Sequence, residues 1–344
     1  MDFLKFIRWK EWGPDKITYF FTFFFYIALT DRLFSYSFLI DFLVGVVFIS
    51  SLAVFGYLSN DLGDRELDRA QGKYNSLMRA GPLGVILIFV GIILIMILSG
   101  IRFMAQSWFP VLWVLQVILS AAYSLPPLRL KGRGVSGLVA NILAQYTIPT
   151  ALIFAFFGDF GRIDMAGITF CATITGGAME IGHQRYHLAA DRETGIRTFA
   201  VRVGSSSISR LYRVFLLLDK ISIAVLIACL LAGIPRIIIP GLILPIPPAS
   251  PLVIIYLFLL WKSSNSASPE FNDPYNYRGP KNAANILHAI FPSLIIPMYL
   301  SFLLVCYNIS NLLILLFFLL WISPGLSREK LRDIVTVMIR RRNS

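Results

Sequence analysis

Charge is scarce in this sequence. Only 15% of its 344 residues are Asp, Glu, Lys or Arg, while 57% are hydrophobic and the mean hydropathy is +0.72. A soluble domain of this length buries an adequate core without such an excess, so the composition argues against one and predicts an all-α polytopic membrane protein. Cysteine is scarcer still. Cys171, Cys229 and Cys306 lie far apart in apolar stretches, a spacing that fits neither a disulfide framework nor a thiolate metal site and predicts inert thiols. No cleavable leader is expected, because the start, "MDFLKFIRWKEWGPDK", mixes both signs of charge and no small-residue cleavage site follows the first apolar run.

Ten apolar stretches are present instead, near 17–36, 38–59, 83–101, 104–124, 136–157, 163–181, 211–232, 237–261, 286–306 and 309–322. Each is a candidate crossing. Five prolines between Pro240 and Pro251 make the eighth a poor continuous helix, and the tenth is short for a crossing. The expectation is a bundle of about nine helices, with ten as the alternative, forming one domain over 1–344. Its core is placed at about 17–306, with an apolar segment and basic tail at 307–344. If the N-terminus is cytoplasmic, twenty bases fall on the inner side and four (Arg32, Arg102, Arg162, Arg236) on the outer. That asymmetry follows the positive-inside rule, and the six bases of the 327–344 tail favour a cytoplasmic C-terminus. The net charge of +12 thus belongs to topology. Its spread over separate loops predicts no nucleic-acid partner.

Against this background "YLSNDLGDRELDRAQGKYNS", residues 57–76, stands out. On a helix, Asn60, Asp64, Asp68 and Asp61 project at roughly 0°, 40°, 80° and 100°, so all four share one face. Like charges one turn apart repel, and a divalent cation with oxygen preference is the simplest compensation. After the fourth stretch, "YSLPPLRLKGRG" (Tyr123 to Gly134) stiffens at Pro126 and Pro127 and then presents Arg129, Lys131 and Arg133. Extended backbone would point these bases one way; ordinary flanking of a crossing by bases is the alternative. After the sixth, residues 179–204 place Glu180, His183, His187 and Asp191 within about an 80° helical arc, with Gly195 closing the helix. Two of the three histidines thus share a face with two acids. His288 stands alone and reads as structural.

These residues carry a resemblance. "NDLGDRELD" (Asn60 to Asp68) resembles the first aspartate-rich signature of the UbiA prenyltransferase superfamily, and "HLAADRETGIRTFAVRVG" is similar to its second. "YSLPPLRLK" resembles the segment after the fourth helix in the branch that includes homogentisate and chlorophyll prenyltransferases. The three occur in family order and spacing, over roughly residues 17–306. The resemblance implies a helical bundle around a central cavity that binds an isoprenyl diphosphate through Mg²⁺. It implies Asn60, Asp61, Asp64, Asp68, His187 and Asp191 as the metal-holding set, with Asp64, Asp68 and Asp191 essential to catalysis. Asn60, Lys73, Arg79, Tyr123, Arg129, Lys131 and Arg197 would meet the substrate. The reaction implied is ionisation of the diphosphate to an allylic cation, which a lipophilic or aromatic acceptor attacks. The site would lie near the cytoplasmic face of a multi-pass membrane protein, in contact with membrane lipid.

Two positions depart from the pattern. His187 stands where the second signature begins with aspartate, and imidazole is a poorer Mg²⁺ ligand than carboxylate. The chain also reads "GKYNSLMRAGP" (residues 72–82) where the family often carries a proline-containing "RPL". Alternatives to acceptor prenylation are cyclisation of the diphosphate alone, as in terpene-cyclase members of the superfamily, and a non-catalytic role.

Overall fold

The computed structural model describes residues 3–236, 238–239, 242–243, 246–264, 274–275 and 283–324. The bases Arg278 and Lys281 and the 327–344 tail, which entered the topology reading, lie outside these residues. Apart from a two-residue antiparallel pairing of Ile238–Ile239 with Leu242–Ile243, the described chain is helical. Among the described residues, after two four-residue helices (Phe3–Phe6 and Trp9–Trp12), ten longer helices succeed one another. They are α1 Thr18–Thr30, α2 Tyr36–Ala70, α3 Pro82–Gly100, α4 Phe109–Ser124, α5 Val135–Phe156, α6 Ile163–Glu193, α7 Phe199–Gly233, α8 Ser250–Ser264, α9 Asn285–Tyr307 and α10 Leu312–Ile322. They match the ten apolar stretches, with one refinement. Within the eighth, the described residues Ile238–Ile239 and Leu242–Ile243 pair as short strands, and α8 begins at Ser250, beside Pro251.

Among the described residues five helices, α2, Pro82–Phe103, α5, α7 and α9, are long and apolar enough to cross a membrane. α1, α4, Ser250–Trp261 and Ile309–Ile322 are shorter and apolar. α5 and α9 each contain a π-helical turn, Leu143–Thr147 and Phe291–Ile295. Each turn ends two residues before a proline, Pro149 or Pro297. Proline has no N–H to give and its ring crowds the carbonyl four residues back, so the backbone widens there instead of breaking.

The chain divides into two compact units, one of Met1–Gly13 with Ile40–Asp219 and one of Pro14–Leu39 with Lys220–Ser344. In the second unit, α1 is apolar all round and buried from Thr18 to Leu29, as a helix with no polar face must be. Phe21 packs edge-on against Phe318 and Trp321 of α10, with ring centres 5.7 and 5.4 Å apart. In the first unit, Phe48 of α2 meets Phe109 and Trp113 of α4 and Phe156 of α5. The polar ends of α2 and α6 lie in the same unit.

Candidate functional site

The polar end of α2 carries Asn60, Asp61, Asp64 and Asp68, and the structure divides them. Asn60 and Asp64, one turn apart, share an ammonium: Lys131 Nζ lies 2.9 Å from Asn60 Oδ1 and 2.5 Å from Asp64 Oδ2. Arg129 donates to the other oxygen, Asp64 Oδ1, at 2.9 Å. One turn further, Asp68 Oδ2 accepts from Asn75 Nδ2 at 2.9 Å and lies within electrostatic range of Lys131. Asp61 has different company. It is fully buried, ion-paired with Arg8 of the N-terminal segment, and accepts the Ser76 N–H at 2.9 Å. Its backbone carbonyl takes the Asn75 amide at 2.6 Å. At the 100° edge of the helical arc it reaches the side against which the 71–80 loop folds back, so the structure does not bring Asp61 to the oxygen cluster of Asn60 and Asp64.

That loop is tied to α2 along its length. Besides Asp61 and Asp68, Arg65 donates to the carbonyls of Met78 and Ala80, and the Asn75 side chain closes an Asx-type turn onto Leu77 N–H at 3.0 Å. Arg8 in turn holds Glu11 at 2.8 Å. Burial works against its charge, but Glu11 and Asp61 outweigh it and hold the guanidinium above its ordinary range.

On the last turns of α6, Glu180, His183, His187 and Asp191 share one face as the spacing predicts. The rings of His183 and His187 lie 4.5 Å apart between centres. Glu180 Oε1 accepts from Gln184 Nε2 at 2.8 Å, and Asp191 Oδ2 accepts from Thr198 Oγ1 at 3.2 Å. The ends of α2 and α6 are built alike. Each reads Asp-Arg-x-x-Gly, Asp68 to Gly72 and Asp191 to Gly195. Each glycine has a positive φ, +63° and +72°. The following residue donates back to the aspartate carbonyl, Lys73 to Asp68 and Ile196 to Asp191, both at 2.9 Å. These are Schellman caps, in which a left-handed glycine lets the chain turn and satisfies the last carbonyls. The last acid of each motif is thereby held on the final turn of a stably terminated helix.

Tyr123 joins the two motifs. It ends α4 and lies within electrostatic range of Glu180, Asp64, Asp191 and Tyr57. A close approach puts it there: a Cβ on Gly63 of α2 would collide with the Ser124 carbonyl. The segment after Tyr123 does not run extended. Arg129 takes a left-handed conformation (φ 38°) and Leu130–Gly132 form a 3₁₀ turn. The three bases therefore do not alternate as on a strand. Arg129 and Lys131 converge on Asp64, whereas Arg133 donates to the Pro127 carbonyl at 3.0 Å. Burial pushes the Lys131 ammonium below its ordinary range, against the pull of Asp64 and with a further push from Arg129.

The remaining predicted substrate contacts, Lys73, Arg79 and Arg197, are exposed, and among the described residues their side chains have no hydrogen-bond or ionic partner. Among the described residues, too, no three His, Cys, Asp or Glu side chains converge on one point. Arg8 and Asn75 went unnoticed in the sequence. Arg8 lies 53 positions from its partner in a segment that reads as an ordinary basic flank, and nothing local marks it. Asn75 carried a signal, a turn-forming residue just past the acidic helix, which local spacing alone does not connect to Asp68.

The model of the UbiA prenyltransferase family matches residues 18–275. No curated protein matches the chain in sequence. Among solved structures, a UbiA homolog from Archaeoglobus fulgidus superposes with a TM-score of 0.59 at 15% identity, covering 89% of this chain and 100% of that one. The same homolog bound to DMAPP and Mg²⁺ gives 0.60 at 16% identity, covering 89% and 99%. Bound to GPP and Mg²⁺ it gives 0.57 at 16% identity, covering 88% and 99%. Identities this low establish the shared helical fold, and the family match covers three quarters of the sequence. The chain belongs to the UbiA prenyltransferase family.

Proposed function

We propose that this protein transfers an isoprenyl group from an isoprenyl diphosphate to a lipophilic or aromatic acceptor, at a Mg²⁺-dependent site between the polar ends of α2 and α6. The observation that carries this reading is the seating of Lys131 and Arg129 on Asp64 and Asn60, with Tyr123 within electrostatic range of both Asp64 and Asp191. The Archaeoglobus fulgidus homolog, which binds DMAPP or GPP with Mg²⁺, supports an isoprenyl diphosphate as the donor.

The donor set fits Mg²⁺. Asn60, Asp64, Asp68 and Asp191 offer hard oxygen, and they are spread over two helices instead of forming a closed cage. Mg²⁺ suits such a site because it uses one or two carboxylates and completes its shell with water and phosphate oxygens. When bound, it neutralises the diphosphate and stabilises the charge that grows on this leaving group. Asn60, Asp64 and Asp68 would hold it on the α2 side, Asp191 and His187 on the α6 side. Lys131 and Arg129 would donate to the diphosphate oxygens, with Lys73, Arg79 and Arg197 as further exposed cations able to meet them. Tyr123, within electrostatic range of acids on both helices, would contact the donor near its allylic end. Heterolysis leaves the bonding electron pair on the diphosphate, and the acceptor supplies a new pair to the allylic carbon. The acceptor then gives up the proton from the attacking atom to the released diphosphate or water. Asp61, committed to Arg8 and Ser76, would hold α2 and its loop in place without touching metal. The basic asymmetry of the loops puts the site near the cytoplasmic face.

Incubation of purified protein in detergent with labelled isoprenyl diphosphates of several chain lengths tests the reading, with and without a lipid extract and with EDTA. Labelled product that needs both extract and Mg²⁺ is expected. Product made from the diphosphate alone would reassign the chain to cyclisation, and full turnover in EDTA would refute the site.

A further inference from the structure

Lys131 occupies the place between Asn60 and Asp64 where a cation would bind. Its ammonium lies 2.5 Å from Asp64 Oδ2 and 2.9 Å from Asn60 Oδ1, while Arg129 takes the second Asp64 oxygen at 2.9 Å. Asp64 therefore offers a divalent ion neither oxygen unopposed. The ammonium is also sheltered, with 15% of the Lys131 side chain and 18% of the Asp64 side chain exposed. Its backbone is anchored. Leu130–Gly132 form a tight turn, and Arg202 of α7 donates to the Gly132 carbonyl at 3.4 Å. A fixed backbone with a long flexible stem allows the charged end to leave the acids while the loop stays in place.

We infer that Lys131 is a tethered cation that holds the Asn60–Asp64 seat and makes metal binding depend on the diphosphate. A divalent ion arriving alone must displace the ammonium from Asp64 and leave it only Asp68, itself one of the proposed metal-holding acids, as a neighbouring carboxylate. An ion arriving with a diphosphate brings a further anion, so Lys131 moves from carboxylate to phosphate and keeps a charged partner throughout. Metal and diphosphate then bind cooperatively, and by linkage each strengthens the other by the same factor. Lys131 thus acts as a coupling residue as well as a phosphate ligand, and the arrangement keeps the acidic face neutralised between turnovers. The inference rests on the proposed assignment of Asn60 and Asp64 as metal-holding residues.

The test measures Mn²⁺ binding by electron paramagnetic resonance in detergent, alone and with inorganic pyrophosphate, so that no turnover is needed. In the wild-type protein pyrophosphate should tighten Mn²⁺ by about 10-fold or more, within the usual range of coupling between sites. Lys131→Met should tighten Mn²⁺ binding in the absence of pyrophosphate by about 5-fold, and should shrink the pyrophosphate effect to about twofold. Arg133→Gln removes a neighbouring charge that does not touch Asp64, and should alter neither value by more than about twofold. Asp64→Asn should abolish the binding. If Lys131→Met leaves Mn²⁺ affinity and the pyrophosphate effect unchanged, or if Arg133→Gln matches it, the tethered-cation role is refuted while the site stands. If Asp64→Asn binds Mn²⁺ like wild type, the site assignment itself fails. Lys131→Gln, which keeps a polar end of similar length, serves in the same assay if the methionine variant loses its thermal transition.

Discussion

Asp61→Ala separates two roles that the helical spacing of the first motif assigns to one face. Asp61 is fully buried and accepts from Arg8 and from the Ser76 N–H. Truncation to alanine strands the Ser76 N–H and leaves Arg8 with Glu11 as its remaining carboxylate partner. Removing one partner of a buried ion pair costs about 3–5 kcal/mol. Arg8 keeps 20% of its side chain exposed, so water recovers part of its solvation and the low end, about 3 kcal/mol, applies. Each kcal/mol moves the melting temperature by about 2–4 °C in domains of 150–250 residues, and by less in a longer chain. A fall of about 5 °C in detergent is therefore expected. Surviving folded protein should bind Mn²⁺ within about twofold of wild type, since the metal-holding oxygens are elsewhere. Arg8→Met combined with Asp61→Ala removes both charges and should cost less than the sum of the single variants, by about 1–3 kcal/mol. Differential scanning fluorimetry and Mn²⁺ titration on the same preparations provide both readouts. An Asp61→Ala protein that melts within about 1 °C of wild type but loses tenfold or more in Mn²⁺ affinity would refute the reasoning and return Asp61 to the metal-holding set.

Asp64→Ala, Asp68→Ala and Asp191→Ala should lose prenyl transfer by at least about 10²-fold. Melting temperature should change little for Asp68 and Asp191, whereas Asp64→Ala also removes the carboxylate partner of the sheltered Lys131. Turnover within threefold of wild type for Asp64 and Asp68 would sink the metal–diphosphate clamp. His187→Asp restores an oxygen donor at the start of the second signature and should improve Mg²⁺ affinity, measured as the concentration for half-maximal turnover, while His187→Ala should weaken it. Loss of activity in His187→Asp at every Mg²⁺ concentration would show instead that the imidazole serves the acceptor or the packing of α6.

Much of this protein is legible in one dimension because the membrane imposes a one-dimensional rule. A segment that crosses lipid must be apolar and satisfy its own backbone hydrogen bonds, so apolar stretches correspond to helices. The ten stretches accordingly match α1 to α10, and the prolines of the 237–261 stretch predicted its failure to form one helix. The Asp-Arg-x-x-Gly ends were equally local, since a glycine at the right offset suffices to cap a helix. Helical periodicity placed Glu180, His183, His187 and Asp191 on one face, and α6 keeps them there.

Tertiary structure alone decided how the shared face at the end of α2 is used. Spacing puts Asp61 beside Asn60, Asp64 and Asp68, but it cannot show which neighbours arrive from distant sequence. Arg8 comes from the N-terminal segment, Asn75 and Ser76 from the loop that folds back, and Lys131 and Arg129 from the turn after α4. A carboxylate's role follows from the charge that compensates it, and that charge comes through contacts 53 to 71 positions away in the chain for Asp61, Asp64 and Asn60. The 3₁₀ turn that brings Arg129 and Lys131 together and sends Arg133 elsewhere was hidden for the same reason. A left-handed arginine is unfavourable by local preference, and only its contact with Asp64 in the folded chain gives that conformation a purpose.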